Sequence, residues 1–157
     1  MSNTASVINK SAKYRTISSS RFGDIEIDED KIITMTSPFL GFANDSQFIL
    51  LPHAPKSPFW WLQAVNNPKL AFVVIPPALL LDTPYKPEIN SQVRQELQIN
   101  TEQDLEILVM LTIPNGHPEL MTANLLGPVV LNTSKKLAKQ VLLDPTRYNP
   151  CWPVVRK

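Results

Sequence analysis

Two histidines, a run of five carboxylates and one cysteine are the side chains here best suited to chemistry, and their spacing argues against it. Hydrolysis needs a nucleophile with a base in hydrogen-bond reach. His53 and His117 each lie near prolines in segments that read as loops, and no Gly-x-Ser-x-Gly setting or orienting partner accompanies either one. Asp24, Glu26, Asp28, Glu29 and Asp30 could be imagined around a divalent cation, but a calcium loop needs a turn glycine among its oxygen ligands and none is present. The four glycines, Gly23, Gly41, Gly116 and Gly127, stand singly, so no glycine-rich loop can cradle a phosphate. Cys151 has neither a second cysteine nor a nearby histidine, which excludes an internal disulfide and fits a reducing compartment. The expectation is a non-catalytic protein with no metal and no cofactor.

Recognition is a better use of the remaining side chains. Neighbouring residues on a strand point to opposite faces, so Trp60 and Trp61 cannot both enter one core. Phe59, Trp61, Gln63 and Val65 share one face and Trp60, Leu62 and Ala64 the other, which makes this strand apolar on both sides. Either it is a central strand covered by another element, or one indole anchors a protein partner. Residues 121–132 place Thr122 and Asn124 at the start of an otherwise apolar strand. RNA binding is disfavoured, because the basic clusters at Lys10, Lys13, Arg15 and Arg21 and at Lys135, Lys136 and Lys139 lack interleaved aromatics.

The elements that must position these residues are short strands. Ile25 and Ile27 alternate with Asp24, Glu26 and Asp28, the pattern of a strand with one solvated face. A turn at Glu29-Asp30 leads to Ile32–Thr36, and the two runs predict a hairpin. Further apolar runs lie at 48–51, 59–65, 70–75, 105–113, 125–131 and 137–143, separated by proline, glycine or asparagine. Such spacing predicts an all-β sandwich or barrel. Asn66-Asn67-Pro68-Lys69 reads as the clearest hairpin turn. Only Asn90–Ile99 has helical chemistry, with Asn90 or Ser91 as N-cap and Val93 and Leu97 on one side, and it predicts a short helix over a barrel mouth. Thr101 to Asp104 reads as one further polar or helical turn.

Fifteen prolines against four glycines exclude long helices. No export signal is visible at the start, and the longest apolar stretch, 70–81, is broken by Pro76-Pro77, well short of the ~20 residues a membrane span needs. The expected location is the cytoplasm. A net charge of +1 conceals segregation, because residues 24–106 hold twelve acids and five bases between two basic ends.

Several ordered blocks resemble the family of the bacterial flagellar assembly factor FliW. They are Phe22 to Ile27 with Lys31 to Thr34, Leu40-Gly41-Phe42 with Phe48 to Leu51, and Pro58 to Val65 followed by Pro68 to Val74. Thr112-Ile113-Pro114, Met121 to Asn132 and Ala138 to Leu142 complete the series, which covers about 22–148. The resemblance implies an all-β, single-domain, β-barrel-like fold of short antiparallel strands with one or two short helices. It divides the chain into a basic arm (1–21), a barrel (22–148) and an apolar tail (149–157), which either docks back or makes a separate contact.

That resemblance also implies a function. Members are cytoplasmic, non-enzymatic proteins, monomeric when free, that exchange two partners: flagellin and the RNA-binding translational repressor CsrA. Flagellin occupies the protein until it is exported, and the freed protein then binds CsrA and relieves repression. Neither a membrane nor direct nucleic-acid contact is expected. An acidic body would steer the basic repressor, and an apolar centre would supply affinity. The residues assigned to partner binding are Trp60, Trp61, Leu62, Gln63, Met121, Thr122, Asn124 and Leu126. Thr122 and Asn124 either bond a partner backbone or, for Asn124, pin a turn inside the barrel. Near-neutral charge, and Pro38 where the family commonly has glycine, are departures; the first favours a divergent relative with another partner and the second alters a turn. A small-molecule sensor enclosing its ligand between Trp60, Trp61 and Phe72 is the reading from a different class.

Overall fold

The computed structural model describes residues 13–79 and 84–154. Within them lie ten strands, β1 (Tyr14–Ser19), β2 (Gly23–Asp28), β3 (Ile33–Met35), β4 (Gln47–Pro52), β5 (Trp60–Ala64), β6 (Ala71–Ile75), β7 (Leu105–Thr112), β8 (Thr122–Asn132), β9 (Leu137–Gln140) and β10 (Trp152–Pro153). One α-helix, α1 (Ser91–Glu96), and four single 3-10 turns complete the fold. Strands β3 to β9 close into a seven-stranded barrel in the order β9-β3-β4-β5-β6-β7-β8, with β8 pairing back onto β9. Every neighbouring pair is antiparallel except β3 and β9, which meet in parallel through Thr34↔Leu137 and Met35↔Ala138 alone. The barrel-like, all-β architecture is therefore as expected.

Alternation along each strand fills the interior. Met35, Phe48, Leu62, Val74, Leu108, Val129 and Ala138 belong to one buried cluster, to which every barrel strand contributes. Phe39, Phe48 and Phe72 interlock at its centre, with Phe39 edge-on to Phe48 at 5.3 Å and 4.8 Å from Phe72. Aromatic pairs in such geometries add to the burial of their area.

Three further clusters coat the outside of the barrel. Ile17 and Ile27 of the β1–β2 ribbon pack on Ile49 and Val65, so the ribbon covers β4 and β5. Trp152, Val154, Tyr85 and Tyr148 cover Ile75, Val109, Leu111, Ala123 and Leu125 on β6 to β8. Ile89, Val93, Leu97 and Ile99, from and around α1, cover Val130 and Leu137. Asn90 caps α1 as expected, its side chain accepting from Val93 N at 2.9 Å.

One pairing differs from the sequence expectation. The acidic strand β2 forms its hairpin with β1, through Ile17↔Ile25 and Arg15↔Ile27, and not with residues 32–36. Asp28 accepts from Asp30 N and caps a 3-10 turn at Glu29–Lys31, which carries the chain out of the ribbon and into the barrel. The missed partner is polar, since Thr16 and Ser18 alternate with Ile17 in a segment that reads as a basic arm. Residues 1–12 of that arm, Lys10 among them, lie outside the described residues. Of the tail, Trp152 and Pro153 add a short strand to β8 opposite Ala123 and Thr122, and Val154 N bonds Met121 O. Val155, Arg156 and Lys157 lie outside the described residues.

Candidate functional site

The expected anchor strand, β5, is divided by its two faces. Leu62 is packed in the barrel core. Gln63 is fully buried, its Oε1 accepting from Ser19 Oγ at 2.9 Å and its Nε2 donating to the carbonyls of Ala64 and Leu70 at 3.1 Å. Both side chains of the expected contact set are thus engaged within the chain's own packing. Trp61 lies beneath the ribbon, with the Arg21 guanidinium 4.0 Å from its ring centre and the His53 ring 5.8 Å away. That contact is a cation–π latch between ribbon and barrel. Trp60 faces the other way and is 38% exposed, beside a pocket of about 210 Å³ lined by Leu50, Pro76, Glu106 and Leu108. Because the two indoles occupy opposite faces, Trp60, Trp61 and Phe72 do not enclose one cavity.

The second expected group lies on β8. Met121 is buried in the outer cluster beneath the tail. Thr122 pairs with Pro153 of β10 on one side and Thr112 of β7 on the other, and is half-buried. Asn124 starts a wide bulge: Met110 of β7 stands opposite Asn124 and Leu108 opposite Val129, so residues 125–128 face the single residue Val109. The Asn124 Oδ1 accepts from Leu126 N at 3.1 Å and Gly127 N at 2.9 Å, pinning the bulge as a side-chain-capped turn. Leu126, half-buried, accepts from Leu143 N at its carbonyl.

The bulge borders a groove of which Asn124 alone belongs to the contact set expected from sequence. Asn124 shares a pocket of about 390 Å³ with Phe39, Phe72 and Met110 on the floor, Gln140 beside it, and Pro38, Leu40, Phe42 and Leu142 on the rim. Leu40 is 90% exposed and Leu142 75%. Their positions follow from local geometry. Phe42 N bonds Phe39 O at 2.9 Å, and Gly41 has φ +88°, so Leu40 occupies the tip of a tight turn that needs the glycine. Val141 N and Leu143 N bond Pro128 O and Leu126 O, leaving the alternate residue, Leu142, turned outward. No charged side chain lines the pocket. A leucine at a turn tip and another on an outward-facing strand position contribute little to folding, and together they form an apolar patch of the kind that marks a contact surface. The signal in sequence was Leu40-Gly41-Phe42, an apolar pair around an isolated glycine where a polar turn is usual.

Beside this groove the parallel seam is stapled by one carboxylate. Glu96 of α1 accepts from Thr36 Oγ1 at 2.6 Å and Lys139 Nζ at 2.8 Å, joining the end of β3 to β9. The hydrogen bonds from Lys139 and then Thr36 hold its carboxyl below the ordinary glutamate value of 4.5. Elsewhere, Tyr85 donates to Leu125 O at 2.6 Å, and burial pushes its phenol up. On the ribbon, Asp24 and Glu26 stand in solvent on one face, Asp24 accepting from Ser18 Oγ at 2.9 Å. Among the described residues, no helix is long and apolar enough to cross a membrane.

Comparison with known proteins places the chain in a narrow context. The family described as FliW protein matches residues 16–154. The chain is 42% identical over 132 residues to a flagellar assembly factor FliW of Syntrophus aciditrophicus, covering 84% of this chain and 82% of that one. A flagellar assembly factor FliW of Magnetococcus marinus is 39% identical over 140 residues, 88% of this chain and 84% of its own. A crystal structure of the flagellar assembly factor FliW superposes with a TM-score of 0.82 at 36% identity, covering 91% of this chain and 99% of that one.

Proposed function

The chain belongs to the FliW family, and from that membership we propose that it is a flagellar assembly factor of the cytoplasm that acts by binding polypeptides. In this reading flagellin and the translational repressor CsrA are its two partners, and they exclude one another. Flagellin occupies the protein while filament subunits accumulate; export frees it, and it then sequesters the repressor. Synthesis of the subunit thereby follows its export, with no bond made or broken.

The observation that carries this reading is the bare apolar rim at Leu40, Phe42 and Leu142 around a neutral pocket, on a barrel that covers three of its outer apolar clusters with its own chain. A protein partner is the occupant such a rim suits. The acidic outer face of the ribbon, Asp24 and Glu26 with Asp30 at its end, suits the approach of a basic RNA-binding protein. A net charge of +1 favours one second reading, a member of the family that serves a different polypeptide.

The test is a titration of the full chain with the flagellin and the CsrA of its own host. Saturable binding of each at micromolar concentration or below, and displacement of CsrA by flagellin, are the expected results. CsrA binding should weaken as salt rises. Failure to bind either protein ends the reading, and binding of both at once ends the exchange.

A further inference from the structure

The groove at the barrel mouth carries two polar atoms that the fold leaves unused. Asn124 spends its Oδ1 on Leu126 N and Gly127 N, and its Nδ2 has no hydrogen-bond partner. Gln140 spends its Nε2 on the Gly127 carbonyl at 3.1 Å, with Met110 Sδ at 4.0 Å, and its Oε1 has none. The orientation of both carboxamides is set by those bonds, since each oxygen and nitrogen is identified by what it meets. The two amides converge over Gly127: a Cβ there would stand 2.9 Å from Gln140 Nε2 and 3.3 Å from Asn124 Nδ2. One open donor and one open acceptor therefore belong to side chains that line the same largely apolar pocket.

We propose that this groove receives a neutral, apolar segment of flagellin, whose amide groups pair with Asn124 Nδ2 and Gln140 Oε1. The inference rests on the reading of flagellin as a partner and adds where and by what chemistry it is held. An open donor and an open acceptor in one groove suit the carbonyl and N–H groups of a polypeptide, of the main chain or of an Asn or Gln side chain. An anionic or cationic occupant would lie without a counter-charge, because no ionisable side chain lines the groove. Leu40 and Leu142 are both exposed at the groove, and an occupant that covers both gains their apolar area, as a polypeptide segment can. The basic repressor is the poorer occupant of a neutral groove, and its acidic counterpart is the ribbon.

The groove is also built to be rigid. Phe72 lies edge-on beneath Phe42 at 5.4 Å and packs on Phe39, so the floor is continuous with the barrel core. Such preorganisation lowers the ordering cost of association.

The experiment measures flagellin and CsrA binding by the full chain and by two variants, Asn124→Asp and Leu142→Ala. The aspartate keeps the acceptor for Leu126 N and Gly127 N, removes the free donor and adds charge. Leu142→Ala trims an exposed side chain and leaves the fold intact should the first variant loosen β8. The expected result is flagellin binding weakened about tenfold or more by Asn124→Asp and several-fold by Leu142→Ala, with CsrA binding and thermal midpoint unchanged. Flagellin binding equal to the parent in both variants overturns the groove while leaving the partner reading standing. Equal loss of both partners overturns the assignment to flagellin alone. No flagellin binding by the parent chain removes the partner reading and this inference with it.

Discussion

Gln63 and Gln140 are the same residue type on β5 and β9 of one barrel, and they are used in opposite ways. Gln63, under the ribbon, has no exposure, and its carboxamide joins Ser19 of β1 to the carbonyls of Ala64, Asn67 and Leu70 around the 66–69 turn. Ser19 Oγ in turn accepts from Arg21 N and Phe22 N and so fixes the ribbon's own turn. Gln140, in the groove, is half-buried and uses one atom of its carboxamide. A face whose polar atoms are all matched is finished as structure. A face with atoms left over and leucines in water is available for something else.

The comparison is tested first where its effect is largest. Leu62→Ala, inside the barrel, should cost about 3 kcal/mol by urea denaturation, as large-to-small core changes do. Leu142→Ala should stay within about 0.5 kcal/mol of the parent. A similar cost at both positions would erase the distinction between filled and bare faces. Next, Gln63→Leu should lose about 2 kcal/mol, because it removes the buried acceptor of the Ser19 hydroxyl and a donor to the surrounding carbonyls, whereas Gln140→Leu should lose under about 1 kcal/mol. The latch comes third: Arg21→Ala should cost about 0.5–1 kcal/mol and raise amide exchange in β1 and β2 ahead of the barrel. Unchanged exchange in the ribbon would mean that its apolar face alone holds it.

The smallest effect belongs to the seam. Glu96 has a folded pKa below its unfolded one, so its contribution is present at neutral pH and fades as the pH falls through the depressed value. The stability difference between the parent and Glu96→Gln should therefore be constant from neutral pH down to about 5 and shrink below the ordinary glutamate range near 4.3. A difference that grows on acidification would contradict the staple.

What could be read from sequence followed local rules. The apolar runs became β4 to β9, Asn66–Lys69 became the β5–β6 turn, and Asn90 capped the helix. The tail's apolar residues Trp152 and Val154 docked on the barrel, one of two outcomes left open. Illegible were the features set by partners far along the chain. The ribbon paired β2 with a strand of polar alternation, and no local pattern distinguishes that partner from residues 32–36. For the site, β5 showed that two apolar faces exist but not that Gln63 and Trp61 face an intramolecular cover. Asn124 reads from sequence as either a contact or a turn residue, and its Oδ1 pins a turn. Leu40 and Leu142 come together only because the barrel closes, which spacing in sequence cannot express.

The parallel meeting of β3 with β9 sets a clock on the birth of the molecule. Thr34 and Met35 wait for Leu137 and Ala138, roughly a hundred codons later, which at about 5–20 residues per second is some 5–20 s of synthesis. Until then the nascent chain is an open row of strands with a naked margin, and the rim residues at 38–42 have no opposite wall to work with. The groove is thus complete only once residues 137–142 have been made, so a product truncated before them would be sticky and would lack that wall.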